Sequence, residues 1–200
     1  PTDQQYNAFV GLKGKLSSHM SYNISGRYLA DRNKALYINN VTSMNLLTAE
    51  DYEYGNSFGI VYDNIDTFGV AGEINADVNR NFKLGLKVEY FKYTTGTQAE
   101  AWNLPDIKGS LFFDYQIDEH WFTGANLFYV GERKDLLSID DNIMGFQSMT
   151  VTLDNFFDAN AHLGYHINDK ISVFAKANNI ANEGYQRWQN YPVQSIQFLA

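Results

Sequence analysis

Cysteine is absent from the 200 residues, which excludes a disulfide framework and any thiolate metal site. Long apolar runs are missing too. No stretch approaches the ~18 consecutive apolar residues of a membrane-spanning helix, and the opening Pro1-Thr2-Asp3-Gln4 has no signal-peptide character. Basic runs are also lacking: the 15 Lys and Arg are scattered and the net charge is -8. Phosphate binding needs a concentrated basic surface, so nucleic acid is not an expected partner. No Gly-rich phosphate loop occurs among the 15 Gly, and most of these glycines stand singly on alternating runs.

What is present is alternation. Between Phe82 and Tyr90, Phe82, Leu84, Leu86, Val88 and Tyr90 fall on one face, and Lys83, Gly85, Lys87 and Glu89 on the other. A period of two marks a β-strand with one apolar and one polar face. The pattern recurs along the chain, with no helical period long enough to supply a second layer. Aromatic residues make up 16%, with 14 Tyr and 14 Phe, a composition suited to an interface between lipid and water.

Four tight polar turns punctuate the alternation: Ser17-Ser18-His19, Asn79-Arg80-Asn81, Asp118-Glu119-His120 and Asn168-Asp169-Lys170. Between the hairpins they define lie longer polar stretches, about residues 31–57, 94–105, 131–149 and 181–195, read as irregular loops. Strands are expected over 6–16, 20–30, 58–78, 82–93, 106–117, 121–130, 150–167, 171–180 and from about 196. Short turns at one end and long loops at the other are the asymmetry of a transmembrane β-barrel, with the turns periplasmic. The fold class expected is therefore all-β, an antiparallel transmembrane barrel segment of about nine strands. A complete single-chain bacterial barrel has an even strand number. An odd count beginning on the outside predicts that 1–200 is the C-terminal part of a larger up-and-down barrel.

The hairpin centred on Arg80 predicts a register in which Asp77 opposes Lys83 and Glu73 opposes Lys87, two opposite-charge pairs on the polar face. Leu84, Leu86, Val88, Phe113, Leu163 and Val173 are expected to face lipid, and Arg27, Glu73, Lys87, Glu89, Asp158 and His162 the lumen. Tyr6, Tyr28, Tyr90 and Tyr129 are expected in the outer aromatic girdle.

Chemistry-bearing clusters are few. His162 and His166 have the spacing that chelates metal on a helix, but on a strand they stand about 13 Å apart, so lumen-lining is the simpler reading. His19 and His120 sit in turns. Asp135, Asp140, Asp141 and Asn142 crowd one loop without the Gly and distal Glu of a calcium-binding hand. No metal or cofactor is expected. No Ser is placed with a His base at an outer strand end, so no catalytic set is expected either. Trp102, Arg133 and Trp188, in the long loops, are the expected ligand contacts.

Near the C-terminal end a more specific pattern appears. Ile171 to Ile180 forms an apolar strand ending in Asn179-Ile180, followed by Asn182 and Tyr185, and then Tyr191-Pro192 before Ser195-Ile196-Gln197-Phe198. This resembles the penultimate strand and last-strand opening of TonB-dependent outer-membrane receptors, with Asn179, Ile180, Asn182 and Tyr185 matching position by position. Ser195-Ile196 replaces the usual Gly-Arg, and the family's terminal aromatic is not reached. Ala101 to Pro105 and Gly131 to Asp135 also look like that family. The resemblance implies a bacterial outer-membrane location and a 22-stranded barrel around a plug domain. It also implies uptake of a scarce nutrient such as a siderophore, haem, cobalamin or an oligosaccharide. The partners implied are outer-membrane lipid, the remaining strands and plug, TonB through the plug, and a surface lipoprotein. A passive porin and a soluble secreted β-rich binding module are the alternatives.

Overall fold

The computed structural model describes residues 2–42, 57–141 and 145–199, without the side chains of 40–42, 57, 138–141, 145 and 146. In chain order the strands are β1 (Asp3–Ser17), β2 (Met20–Thr42), β3 (Ser57–Asp77), β4 (Phe82–Thr95), β5 (Ile107–Gln116), β6 (Trp121–Val130) and β7 (Arg133–Asp141). There follow β8 (Gly145–Leu153), β9 (Phe156–Asn168), β10 (Ile171–Asn178), β11 (Gln186–Trp188), β12 (Tyr191–Pro192) and β13 (Gln197–Leu199). Nine of them form one antiparallel wall, in the order β1-β2-β3-β4-β5-β6-β9-β10-β13. This is the expected up-and-down barrel segment.

All four tight turns are present, and asparagine and aspartate build three of them. Asp118 Oδ1 accepts from the N–H groups of His120 and Trp121, both at 2.7 Å. Asn168 Oδ1 takes the N–H groups of Lys170 and Ile171, and Asn79 Oδ1 that of Asn81. Short oxygen-bearing side chains satisfy turn amides that no ladder reaches. The same bonds hold the Asp118 carboxyl below its usual range.

The register around Arg80 is the expected one, with Asp77 opposite Lys83 and Glu73 opposite Lys87. The ion pairing differs. Lys87 Nζ turns along its own strand to Glu89 Oε1 at 2.9 Å, while Glu73 Oε1 accepts from Asn75 Nδ2 at 2.6 Å. Residues two apart on one strand share a face, so the long lysine has a choice of carboxylates.

The long stretches are more ordered than the sequence reading has them. β2 and β3 run on beyond the wall, paired as far as Asn40 and Ser57. A bulge between Asp31 and Lys34 interrupts their register, with Asn33 at φ 54°. Stretch 131–149 holds β7 and part of β8, a hairpin whose first strand pairs in parallel with the upper end of β2. Stretch 181–195 holds the small β11–β12 hairpin. The single strand expected over 150–167 is two, parted at Asp154-Asn155, because β8 belongs to the outer hairpin and β9 to the wall.

These outer pieces close on a small core of Leu36, Ile38, Ile65 and Trp102, with Val61, Tyr93, Leu104 and Leu136 packed against it. Among the described residues the wall has no comparable interior. A sheet that meets lipid on one face and a lumen on the other buries little against itself.

Candidate functional site

Cross-strand pairing carries the two faces of the wall from strand to strand. Glu73, Lys87, Ser110, Phe128 and Asp158 form one row across β3, β4, β5, β6 and β9. Glu89 shares this face, His162 joins it in the row Lys83, Asp114, Gly124, His162, and Arg27 in the row Phe9, Arg27, Gly69, Phe91. The opposite face carries Ala76, Leu84, Phe113 and Ala125 in one row and Ile74, Leu86, Leu111 and Leu127 in another. Val88, Leu163 and Val173 follow on that face. The twelve residues assigned to faces from the sequence thus divide into two sets of six on opposite sides of the sheet.

The second face is apolar over a broad band. From Tyr6 to Leu16 on β1, Met20 to Ala30 on β2, Phe68 to Ala76 on β3 and Phe82 to Tyr90 on β4, its described residues carry no charge. Aromatic residues edge the band. Tyr6, Tyr28, Phe68, Tyr90, Tyr129 and Phe157 stand towards the long loops, with the Tyr129 and Phe157 rings 4.8 Å apart. Phe82, Tyr115, Trp121 and Tyr165 stand towards the tight turns, Trp121 and Tyr165 at 4.8 Å. An uncharged face between two aromatic belts matches the lipid contact of a transmembrane barrel.

On the polar face, a groove of about 530 Å³ runs along Phe9, Arg27, Glu73, Lys87, Glu89 and Phe91. His162 and His166 lie on either side of Phe122, whose ring centroid is 6.1 Å from the first imidazole and 4.7 Å from the second. His166 Nδ1 pairs with Ser172 Oγ at 2.7 Å. The two histidines are separated by an aromatic ring and form no chelate.

A second cavity, of about 440 Å³, opens where the β11–β12 hairpin meets the wall, lined by Phe58, Asp158, Asn179, Tyr185, Arg187, Trp188 and Tyr191 among others. Phe58 stacks on Tyr191 with centroids 4.4 Å apart and takes Trp188 edge-on at 5.5 Å. Asn179, in a left-handed conformation at φ 48°, ties the hairpin down by donating from Nδ2 to the carbonyls of Glu183 and Gln194.

Solved structures share this arrangement. The pyoverdine outer membrane receptor FpvA from Pseudomonas aeruginosa PAO1 matches 96% of the chain at a TM-score of 0.68 and 13% identity. The ferric-catecholate import receptor Fiu from E. coli K12 matches 96% at 0.65 and 15%, and the copper transporter OprC 96% at 0.65 and 12%. The fold is that of an antiparallel β-barrel wall, shared with part of each of these barrels. No family model matches the sequence, and neither does any curated protein. The chain spans 28%, 26% and 30% of the lengths of these three proteins.

On this barrel wall the three expected ligand contacts have different surroundings. Trp102 is only 2% exposed and packs in the outer core, with Nε1 donating to Gln98 Oε1 at 2.9 Å, so its ring offers no face to a ligand. Arg133 is 5% exposed. Its guanidinium lies over Phe156 at 4.9 Å, and Nη2 donates to the Gln186 carbonyl at 2.9 Å. Burial lowers its pKa, against the opposing pull of Asp135. Trp188 lines the cavity under the β11–β12 hairpin, and Arg133 borders a different one, of about 450 Å³, with Tyr93, Leu104 and Lys134.

Several residues central to the outer region carry no signal in the sequence. Asp63, buried, accepts from the N–H groups of Gly96, Thr97 and Gln98 and from the Thr97 hydroxyl, all between 2.9 and 3.1 Å. Burial pushes its carboxyl up, but these bonds outweigh it and the pKa is lowered. Asp135, fully buried, is raised by burial against the pull of the Gln189 N–H. It is a packing residue here. Asp140 and Asp141 side chains and Asn142, the rest of that acidic group, lie outside the described residues. Tyr185 lies flat on Phe156, 3.8 Å between centroids, and its hydroxyl donates to Asp158 Oδ2 at 2.8 Å. Burial and that carboxylate push the phenol up to about 12. Arg133, Phe156, Tyr185 and Asp158 thus join the outer hairpin to the lumen row. The motif tyrosine was visible in the sequence; its partners were not.

Proposed function

We propose that this chain is the C-terminal part of a larger outer-membrane barrel that takes up a scarce nutrient in a TonB-dependent manner. The observation that carries the reading is a two-faced wall joined to an ordered outer region, which itself frames an aromatic cavity open beside the lumen. A passive pore needs the wall but not the built outer region. The neighbours are a pyoverdine receptor, a ferric-catecholate import receptor and a copper transporter, which supports a metal chelate within the range of siderophore, haem, cobalamin and oligosaccharide ligands. Trp188, Tyr191 and Arg187 supply stacking surface and a cation for a flat, anionic ligand. Remaining strands would pair with the outer edges of β1 and β13. A plug would meet the polar groove of Arg27, Glu73, Lys87 and Glu89 and carry the TonB contact, and a surface lipoprotein would meet the outer loops. This role is transport, not catalysis.

The test is uptake of radiolabelled ferric siderophore, haem or cobalamin by cells expressing the full-length protein, with and without dissipation of the proton gradient. Saturable uptake that stops when the gradient collapses, and weakens about tenfold in Trp188→Ala through loss of a stacked ring, is the expected result. Uptake that is linear in concentration and indifferent to the gradient would make the protein a porin.

A further inference from the structure

The cavity beneath the β11–β12 hairpin is lined by two charges of opposite sign, Arg187 and Asp158. No ion pair joins them, and neither meets another opposite charge among the described residues. Arg187 is exposed on β11, next to Trp188. Asp158 comes from the wall, in the lumen row that runs Glu73, Lys87, Ser110, Phe128. Its Oδ2 accepts from the Tyr185 hydroxyl at 2.8 Å, and its Oδ1 is buried without a partner.

Asn179 adds a second acceptor of the same kind. Its Nδ2 is committed to the Glu183 and Gln194 carbonyls, which fixes the amide, and its Oδ1 is also buried without a partner. The residue is 6% exposed and lines the same cavity. A carboxylate with one oxygen to spare and a fixed amide oxygen both call for a donor, and the strongest donor to a carboxylate is a cation. An ammonium carries three N–H donors and no acceptor, so it serves both oxygens at once, whereas a hydroxyl has a single O–H to give. Arg187 makes the complementary demand, because a guanidinium is a fork of donors that matches an anionic oxygen pair.

We propose that the ligand of this cavity carries a protonated amine as well as its flat anionic group. The anion pairs with Arg187, the planar part lies against Trp188 and Tyr191, and the ammonium meets Asp158 with Asn179 beside it. This rests on the uptake role proposed for the chain and narrows its ligand to an amine-bearing chelate. A cavity of about 440 Å³ is within the size range that holds one drug-sized ligand. Two opposite charges kept apart in one cavity select on the pattern of charge in a ligand, not on its net charge. A flat anion without an amine satisfies Arg187 and leaves the free oxygen of Asp158 unpaired, which is a penalty against it.

The experiment uses the full-length protein purified from outer membranes. Its probes are an iron-radiolabelled ferric catecholate chelate with one pendant primary amine and the N-acetylated twin of that chelate, and binding is followed by equilibrium dialysis. The amine form is expected to bind about tenfold more tightly than its twin. In Asp158→Asn, which keeps an acceptor for the Tyr185 hydroxyl, the ratio should fall close to one. Arg187→Gln should weaken both chelates alike and keep the ratio. Glu73→Gln, in the same lumen row but outside the cavity, should leave both affinities unchanged. Equal affinity of the two chelates for the parent protein, the result also expected if a basic side chain from elsewhere in the full-length protein occupies Asp158, would overturn the proposal and leave the uptake role standing. A ratio preserved in Asp158→Asn would overturn it as well. Binding of neither chelate, together with uptake indifferent to the proton gradient, would remove both. Folding of each variant is checked by band migration on unboiled gels, and if Asp158→Asn does not fold, the ratio in the parent alone decides.

Discussion

The wall and the outer region are made of the same kind of strand but are held in different ways. In the wall, each residue's place follows from its parity, and adjacent strands repeat one instruction: apolar outwards, polar inwards. In the outer region, single residues from distant parts of the chain do the holding. Trp102 fills a core with Leu36, Ile38 and Ile65, Asp63 gathers three consecutive amides from residues 96–98, and Arg133 reaches across to Gln186. The five described non-glycine residues at positive φ, Asn33, Asn103, Asn179, Asn182 and Asn190, lie at or beyond the outer ends of the wall strands, where short amide side chains tolerate left-handed backbone. A repeated rule tolerates a local change. A set of unique contacts does not, but its failure stays local.

Five substitutions sharpen that contrast. Trp102→Ala should cost the outer region about 3–5 kcal/mol, the range for emptying a buried aromatic site, while the wall still folds. Hydrogen exchange should rise along the upper parts of β2 and β3 with no change in gel migration. Leu86→Arg, at mid-wall, should cost about 2–4 kcal/mol and block assembly altogether, and Lys87→Leu, one residue away on the lumen face, should assemble normally. Equal damage from the two would show that the faces are assigned wrongly.

Asp63→Asn should cost about 1–3 kcal/mol, the range for disturbing hydrogen bonds to a buried charged group, read as faster exchange of the amides of residues 96–98. Acid provides a second handle. The folded pKa of Asp63 is lowered, so its contribution is present above the unfolded value of about 3.9 and is lost as pH falls through the folded value. Between pH 7 and 5 those amides should keep their protection in the parent protein. The smallest effect belongs to Tyr185→Phe, which removes one hydrogen bond to Asp158 at about 0.5–1.5 kcal/mol. The ring stack on Phe156 should remain, so local exchange near 182–188 should rise slightly while the wall is unaffected.

The contrast also accounts for what could be read from the sequence. Turns and faces of the wall were legible because burial on one side only imposes a period of two, and Phe82 to Tyr90 states it plainly. β7 was illegible because Arg133 and Asp135 are buried polar residues while Leu136 packs on the outer core, so polarity along the strand no longer reports which side meets water. Strands 145–153 and 156–168 read as one because Val151, Leu153 and Phe156 supply apolar residues on both sides of Asp154-Asn155. Trp102 looked available to a ligand because its neighbours in sequence are polar, whereas Leu36, Ile38 and Ile65, which enclose it, are at least 37 positions away along the chain. The salt-bridge choice of Lys87 was open because Glu73, across the strand pair, and Glu89, two residues along, share a face with its flexible stem.

On the lumen side, the ring of Phe112 lies against Gly85, and that of Phe122 against Gly164, so closely that a Cβ at either glycine would collide with the ring. A benzyl group that reclines along its neighbour takes up far less of the bore than one that stands upright. Glycine therefore sets the clearance of the passage from beneath: a single methyl at position 85 or 164 would tip the ring up into the lumen and narrow it, with the alternating pattern and net charge unchanged.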